Sequence, residues 1–163
     1  MPLHWVHLSA GSNMGNRMHH LRKAEEALHR IVGNVLRTSP VYQTAPWGCE
    51  HPTSFLNLVF ELSTSLTPEA LLSCLHAIEE TAGRKKTDTN EYSPRPLDLD
   101  ILFYDDWILQ TPTLVLPHPL LHLRRFVLTP LNDLVPHLVH PVFRKTVHDL
   151  WVTCPDTGRV ELI

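Results

Sequence analysis

The order of hydrophobic periodicities along the 163 residues predicts an α+β fold, a ferredoxin-like βαββαβ sandwich with an added C-terminal strand and helices. Two observations carry this. Four stretches alternate with a period of two and two stretches repeat at helical spacing, in the order strand, helix, strand, strand, helix, strand. Each helical stretch also has a polar residue before it and a glycine after it, the punctuation of a helix start and stop. A single domain over residues 1–163 is expected, because a chain of this length builds one core.

Leu3 to Leu8 reads as the first strand, with Leu3, Trp5 and His7 alternating against His4, Val6 and Leu8. Ala10 to Asn16 reads as a glycine-punctuated turn. It either offers backbone N–H groups to an anion or is a tight turn with a polar helix cap. It is not a Walker loop, because no Gly-Lys-Ser/Thr follows. Met18, Leu21, Ala24, Leu28 and Ile31 then mark a helix that Gly33 ends. Val35 to Tyr42 is the second strand, with Pro40 marking an edge or a bulge. In the polar loop Gln43 to Ser54, Trp47 covers the core or borders a pocket.

Phe55 to Ser63 is the third strand. Leu56, Leu58, Phe60 and Leu62 make its core face, and Phe55, Asn57, Val59 and Glu61 the other. Phe55 beside Asn57 suits a flat heterocycle, by stacking and two-way hydrogen bonding, or is a second packing layer. Thr67 caps the second helix with Pro68 at its first position, and Leu71, Leu72, Leu75, Ile78 and Ala82 form its buried stripe up to Gly83. Glu79 falls near the C-terminal end, where the helix dipole disfavours negative charge, a hint of another role. Arg84 to Ser93 holds three basic residues and no aliphatic one, which fits a lid over phosphates or an ordinary exposed loop.

The fourth strand carries the chemistry. In Arg95-Pro96-Leu97-Asp98-Leu99-Asp100-Ile101-Leu102-Phe103, the residues Leu97, Leu99, Ile101 and Phe103 alternate with Asp98, Asp100 and Leu102. Both carboxylates therefore share a face, roughly 6.7 Å apart along the strand. Aspartate is depleted in strands, so two on one face need a reason. One is magnesium, whose hard-oxygen chemistry takes one or two carboxylates plus substrate phosphates, with Arg95 placed to meet a phosphate. The other is an edge strand whose outer face meets water. Beyond it, Asp105-Asp106 reads as a turn and Trp107 to Leu109 as a short added strand. His118 is stiffened between Pro117 and Pro119, and Leu131 to Ile163 reads as a packing extension.

Composition narrows the classes. A formal charge of -3 supplies no global basic field for nucleic acid. Cys49, Cys74 and Cys154 are odd in number and widely spaced, which suggests neither a disulfide framework nor a cysteine zinc site. Although there are 12 histidines, no H-E-x-x-H occurs, and His137, His140 and His148 read as surface or core polar residues. No apolar run is long enough to span a membrane and no signal peptide is evident, so a cytoplasmic protein with reduced thiols is expected.

Gly11-Ser12-Asn13, Tyr42-Gln43-Thr44-Ala45-Pro46, Phe55-Leu56-Asn57, Ile78-Glu79, Gly83-Arg84, Pro94 to Leu102, Pro117-His118-Pro119 and Arg124-Arg125-Phe126 occur in that order. In order and spacing they resemble the 6-hydroxymethyl-7,8-dihydropterin pyrophosphokinases of folate synthesis, from Ser9 to about Trp151. The resemblance implies a ferredoxin-like fold and transfer of the β,γ-pyrophosphoryl group of ATP to the pterin's hydroxymethyl group, releasing AMP. It implies that Asp98 and Asp100 hold two magnesium ions and that Arg84 and Arg95 act on the phosphates. Phe55 and Phe126 match the aromatic pair that sandwiches the pterin. Asn57, with the backbone around Thr44, Pro46 and Trp47, matches the groups that read its polar edge, and Asn13 closes from the first loop. Glu79, Tyr92, Arg95, His118 and Arg124 fall on the nucleotide side.

Three positions depart from the family pattern. Glu91 and Ser93 stand where a basic residue and a glycine are usual, and His76 where glutamine is frequent; these bear on lid motion and nucleotide affinity. ATP and a dihydropterin are the implied partners, with no nucleic acid and no membrane. A monomer is expected, open to association with neighbouring folate enzymes. Two alternatives stand beside the resemblance: a non-catalytic pterin- or nucleotide-binding module of the same fold, and a two-metal nucleotidyl transferase that would release pyrophosphate.

Overall fold

A computed structural model describes residues 2–44, 54–83 and 95–163. The elements run β1 (His4–Ser12), α1 (Arg17–Ile31), β2 (Asn34–Thr38), β3 (Tyr42–Thr44), β4 (Phe55–Thr64), α2 (Pro68–Thr81) and β5 (Asp98–Tyr104). They continue with a short hairpin, β6 (Leu109–Gln110) and β7 (Val115–Leu116), then α3 (Arg125–Leu134), α4 (Val147–Val152) and β8 (Val160–Leu162). The main sheet has the order β5-β1-β4-β3-β8, with β2 also paired to β4. Taking β2 and β3 as one interrupted strand, this is the antiparallel βαββαβ sheet that the periodicities predict, extended at its far edge by β8.

Two cores sandwich the sheet. Leu8, Leu58, Phe60 and Leu99 pack against Leu21 and Leu28 of α1 and Leu71 and Leu75 of α2. On the opposite face Val59, Leu102 and Phe103 pack against Val127 and Leu131 of α3 and Val147 and Leu150 of α4. The proline- and histidine-rich tail is therefore a second helical layer. Both main helices start as the sequence indicates: Asn16 accepts from His19 N–H and Thr67 from Ala70 N–H.

The elements differ from the sequence reading in four places. Gly11 and Ser12 do not begin a turn; they continue β1, paired with Asn57 and Leu56 of β4. The second strand breaks at Ser39-Pro40, where Pro40 has no N–H for the ladder. Ser39 bridges the break, exchanging hydrogen bonds with the backbone of Val59: its N–H donates to Val59 O at 2.9 Å and its Oγ accepts Val59 N–H at 2.8 Å. The added strand starts at Leu109, because Trp107 N–H turns back to Tyr104 O at 3.0 Å. Finally, register shifts between His7 and Leu8, which pair with Phe103 and Ile101. Leu102 is the extra residue of a bulge, so Phe103 joins the second core while Leu97, Leu99 and Ile101 stay in the first.

His140 shows how the second layer uses a polar residue as core. It is 3% exposed, its ring stacks on Phe143 at 4.3 Å, and its Nδ1 accepts from the N–H groups of Val142 and Phe143. Burial, with His122 nearby, pushes its pKa down to about 4. The unfolded chain therefore binds this proton between about pH 6.5 and 4 while the folded chain does not. The resulting stability is present above that window and is lost as pH falls through it, at up to about 1.4 kcal/mol per pH unit for one proton. Urea melts of wild type and His140→Gln from pH 7.5 to 4.5 should show the variant losing stability less steeply. Parallel slopes would mean that His140 does not titrate as its surroundings indicate.

No helix among the described residues is long and apolar enough to cross a membrane.

Candidate active site

Cross-strand register assembles the site. Asp98 of β5 pairs with Gly11 of β1, Gly11 with Asn57 of β4, and Asn57 with Tyr42 of β3. Residues directly opposite share a face, so these four form one row across the sheet. In the next row Asp100 and Val59 flank Ser9. The row is open at its centre because Gly11 has no side chain. A Cβ there would lie 2.7 Å from Asn57 Oδ1 and 3.5 Å from Phe55 Cδ1. Asn57 Nδ2 donates to Thr44 Oγ1 at 2.6 Å, and both residues are buried. That bond fixes the amide plane and leaves Oδ1 over Gly11.

The acidic end is held from its backbone. Arg95 N–H donates to Asn13 Oδ1 at 2.6 Å, and Asn13 N–H donates to Arg95 O at 3.1 Å. The Nδ2 of Asn13 and the Oγ of Ser12 are buried and meet no partner among the described residues, which leaves polar groups for a ligand. Arg95 is itself buried, and its Nη1 donates to Asp98 Oδ1 at 3.0 Å. Glu79, 3% exposed, accepts Leu99 N–H on Oε2 at 2.8 Å. Leu120 N–H donates to His118 Nδ1 at 3.1 Å, which places the ring proton on Nε2 in the neutral imidazole. That Nε2 faces Asp100 Oδ1 at 4.0 Å, beyond hydrogen-bond length.

Arg95, Asp98, Asp100, Glu79, His118 and His76 line one cleft of about 360 Å³, to which Thr111 to Val115 also contribute. Two carboxylates on one strand face, beside a buried arginine and space for phosphate oxygens, suit a hard cation such as magnesium. A hollow of about 380 Å³ lies between α1 and α2, but none of the described residues lining it is a buried polar one, whereas the cleft at β5 gathers Glu79 and Arg95 and is the candidate site.

The structure brings Arg95, Asp98, Asp100, Glu79 and His118 to the cleft wall and Thr44, Phe55 and Asn57 to the adjoining floor. Phe126 and Arg124 stand at the head of α3, which packs on β4; the Arg124 guanidinium lies 5.8 Å from the Phe126 ring centre. Arg124 is buried there and is not on the wall of the cleft. Arg84, Tyr92, Pro46 and Trp47, with the departures Glu91 and Ser93, lie outside the described residues.

Two features of the site escaped sequence reasoning. Gly11 is the bed of the amide, and a glycine interrupting an apolar alternation was its available signal. The Tyr42 hydroxyl, meanwhile, hydrogen-bonds Asp133 of α3, tying the helix that presents Phe126 to the row containing Asn57. Burial and this carboxylate push the Tyr42 pKa up to about 12, so the phenol stays protonated and remains the donor. No local pattern marks that bond, which joins residues far apart in the chain.

Residues 7–136 match the sequence family described as 7,8-dihydro-6-hydroxymethylpterin-pyrophosphokinase. The chain belongs to this family. It is 38% identical over 144 residues to the 2-amino-4-hydroxy-6-hydroxymethyldihydropteridine pyrophosphokinase of Aquifex aeolicus, covering 88% of each chain. The protein of the same name from Porphyromonas gingivalis is 44% identical over 138 residues, covering 83% of this chain and 93% of the relative. The folic acid synthesis protein fol1 of Schizosaccharomyces pombe is 39% identical over 154 residues, but this chain spans 21% of its length. In solved structures the fold superposes on Plasmodium falciparum wild-type HPPK-DHPS with pteroate, with a TM-score of 0.76 at 17% identity. The match covers 93% of this chain and 42% of that one, so the pyrophosphokinase-family fold occupies less than half of the longer protein.

Proposed function

We propose that the protein transfers the β,γ-pyrophosphoryl group of ATP to the hydroxymethyl oxygen of 6-hydroxymethyl-7,8-dihydropterin in folate biosynthesis. A bond forms between that oxygen and the β-phosphorus, the bond from the β-phosphorus to the oxygen of AMP breaks, and the hydroxyl proton is released. The observation that carries the reading is the row Asp98, Gly11, Asn57. It sets a diacid cleft for a polyphosphate beside a glycine-floored amide for a heterocycle, on one sheet face.

Asp98 and Asp100 would hold two magnesium ions, which when bound neutralise phosphate charge and lower the pKa of the attacking hydroxyl. The remaining work belongs to the protein's own groups. Asn57, fixed by Thr44, accepts hydrogen bonds from the pterin edge, while Phe55 and Phe126 hold its plane, so that the alcohol faces the cleft. Such positioning and charge stabilisation supply most of the catalysis in phosphoryl-type transfer. Arg95 meets the phosphates from beside Asp98. The Nε2–H of His118 donates to a phosphate oxygen, since its other nitrogen is occupied by Leu120 N–H.

The test is product analysis with ATP, magnesium and the pterin. AMP formed only in the presence of the pterin supports the reading. Pyrophosphate release would move the chain to nucleotidyl transfer, and tight pterin binding without turnover to a binding module. The clustering of Asp98, Asp100, Arg95 and His118 in one cleft disfavours the binding module.

A further inference from the structure

We infer that Glu79 is a positioning residue that sets the separation of the Asp98 and Asp100 carboxylates by fixing the backbone of Leu99 between them; the role rests on the proposed use of that diacid. Glu79 sits in the last turn of α2 and is almost wholly buried, and its Oε2 accepts the Leu99 N–H at 2.8 Å. Leu99 is the one residue between the two aspartates, so its φ and ψ govern how far apart and how parallel the two carboxylates stand. Strand β5 is at the sheet edge, paired with β1 alone among the described residues. An edge strand presents N–H groups that water or another strand can take. At Leu99 the partner is instead a fixed side chain from a packed helix.

The placement also explains an electrostatic misfit. A carboxylate in the last turn opposes the helix dipole, and that turn contains no basic residue. A charge-assisted bond to a buried N–H is one compensation among the described residues. Asn13 clamps the same segment at Arg95 from the β1 side. The stretch from Arg95 to Leu99 is therefore gripped on two flanks, Asn13 at its start and Glu79 between the acids. Reacting groups displaced by about 1 Å lose on the order of a hundredfold in rate, so a grip on the backbone here acts on the chemistry without touching it.

Four variants separate geometry from charge and from stability. Glu79→Gln retains an acceptor oxygen at the same reach. Glu79→Asp retains the charge but falls short of Leu99, Glu79→Ala removes both, and Leu75→Ala weakens the core of the same helix elsewhere. The readouts are hydrogen exchange at the Leu99 amide, Mn2+ binding with a non-hydrolysable ATP analogue by electron paramagnetic resonance, and AMP formation. Glu79→Asp and Glu79→Ala should accelerate Leu99 exchange about 10- to 100-fold. The same two should weaken Mn2+ binding and AMP formation about 10- to 100-fold, as loss of an outer support to metal ligands does. Glu79→Gln should leave exchange at the Leu99 amide close to wild type, and Leu75→Ala should lower Tm without moving Mn2+ affinity. The inference is overturned if Glu79→Asp matches wild type, or if the Leu99 amide exchanges as fast in Glu79→Gln as in Glu79→Ala. Wild-type protein that binds Mn2+ with the nucleotide but forms no AMP would overturn the pyrophosphokinase reading alone, since exchange and Mn2+ affinity do not need turnover.

Discussion

Replacing Asp100 by alanine is expected to lower kcat for AMP formation by about a thousandfold or more while leaving the melting temperature close to wild type. The first half follows from the chemistry. Transfer from a polyphosphate depends on fixed charge meeting the charge that shifts during reaction, and losing one such group typically costs on the order of 10²–10³. Asp100 would support a metal ion as well, so its loss removes more than one contact. The second half follows from placement. Asp100 is partly exposed on the cleft wall, so shortening its side chain opens no cavity in either core. Asp98→Ala should cost as much activity and also stability, because Arg95 Nη1 donates to Asp98 Oδ1 and the guanidinium is buried. Leaving a buried charged donor short of one partner costs about 1–3 kcal/mol. Paired kinetics and thermal melts of the two variants check both halves. Near-normal turnover in either would remove the carboxylates from the reaction, and equal melting temperatures would remove the structural distinction between them.

The sequence exposed those parts of the site that depend on one strand at a time. Asp98 and Asp100 share a face because alternation fixes it, and Asn57 stands off the main core because Leu56, Leu58, Phe60 and Leu62 claim the other face. What depends on register between strands was hidden. Gly11 reads as a turn because glycine marks both turns and close approaches, and only its pairing with Asn57 and Asp98 separates the two. The bulge at Leu102 was invisible for a different reason. Both faces of β5 are apolar from Ile101 onward, so an alternation of apolar with apolar residues cannot show where its phase slips. Glu79 falls between these cases. Its misfit with the helix dipole was legible, but its partner is a backbone N–H on another element. Likewise the charge of Arg95 points to phosphate, whereas its reach to Asp98 depends on how the chain enters β5.

Gly11→Ala should raise the pterin KM about 10-fold or more, as loss of a hydrogen bond to a buried polar group does at about 1–3 kcal/mol, and leave ATP-analogue binding near wild type. The added methyl group would sit 2.7 Å from Asn57 Oδ1, closer than non-bonded atoms tolerate. A free side chain would swing away at little cost. Asn57 is not free: its Nδ2 is bonded to buried Thr44 at 2.6 Å, so making room breaks that bond or tilts the amide. Either result turns the acceptor away from where a heterocycle edge would lie. Backbone damage to β1 offers a competing explanation, and a double-mutant cycle separates the two. Asn57→Ala alone should also raise KM, by removing the amide. If the methyl group acts through Asn57, adding Gly11→Ala to Asn57→Ala should cost almost nothing further, because the colliding atom is gone. Strong non-additivity of this kind is the mark of two residues sharing one contact. Fully additive losses would show instead that Gly11 serves the strand, and that the open floor between Asp98 and Asn57 has no part in holding the pterin.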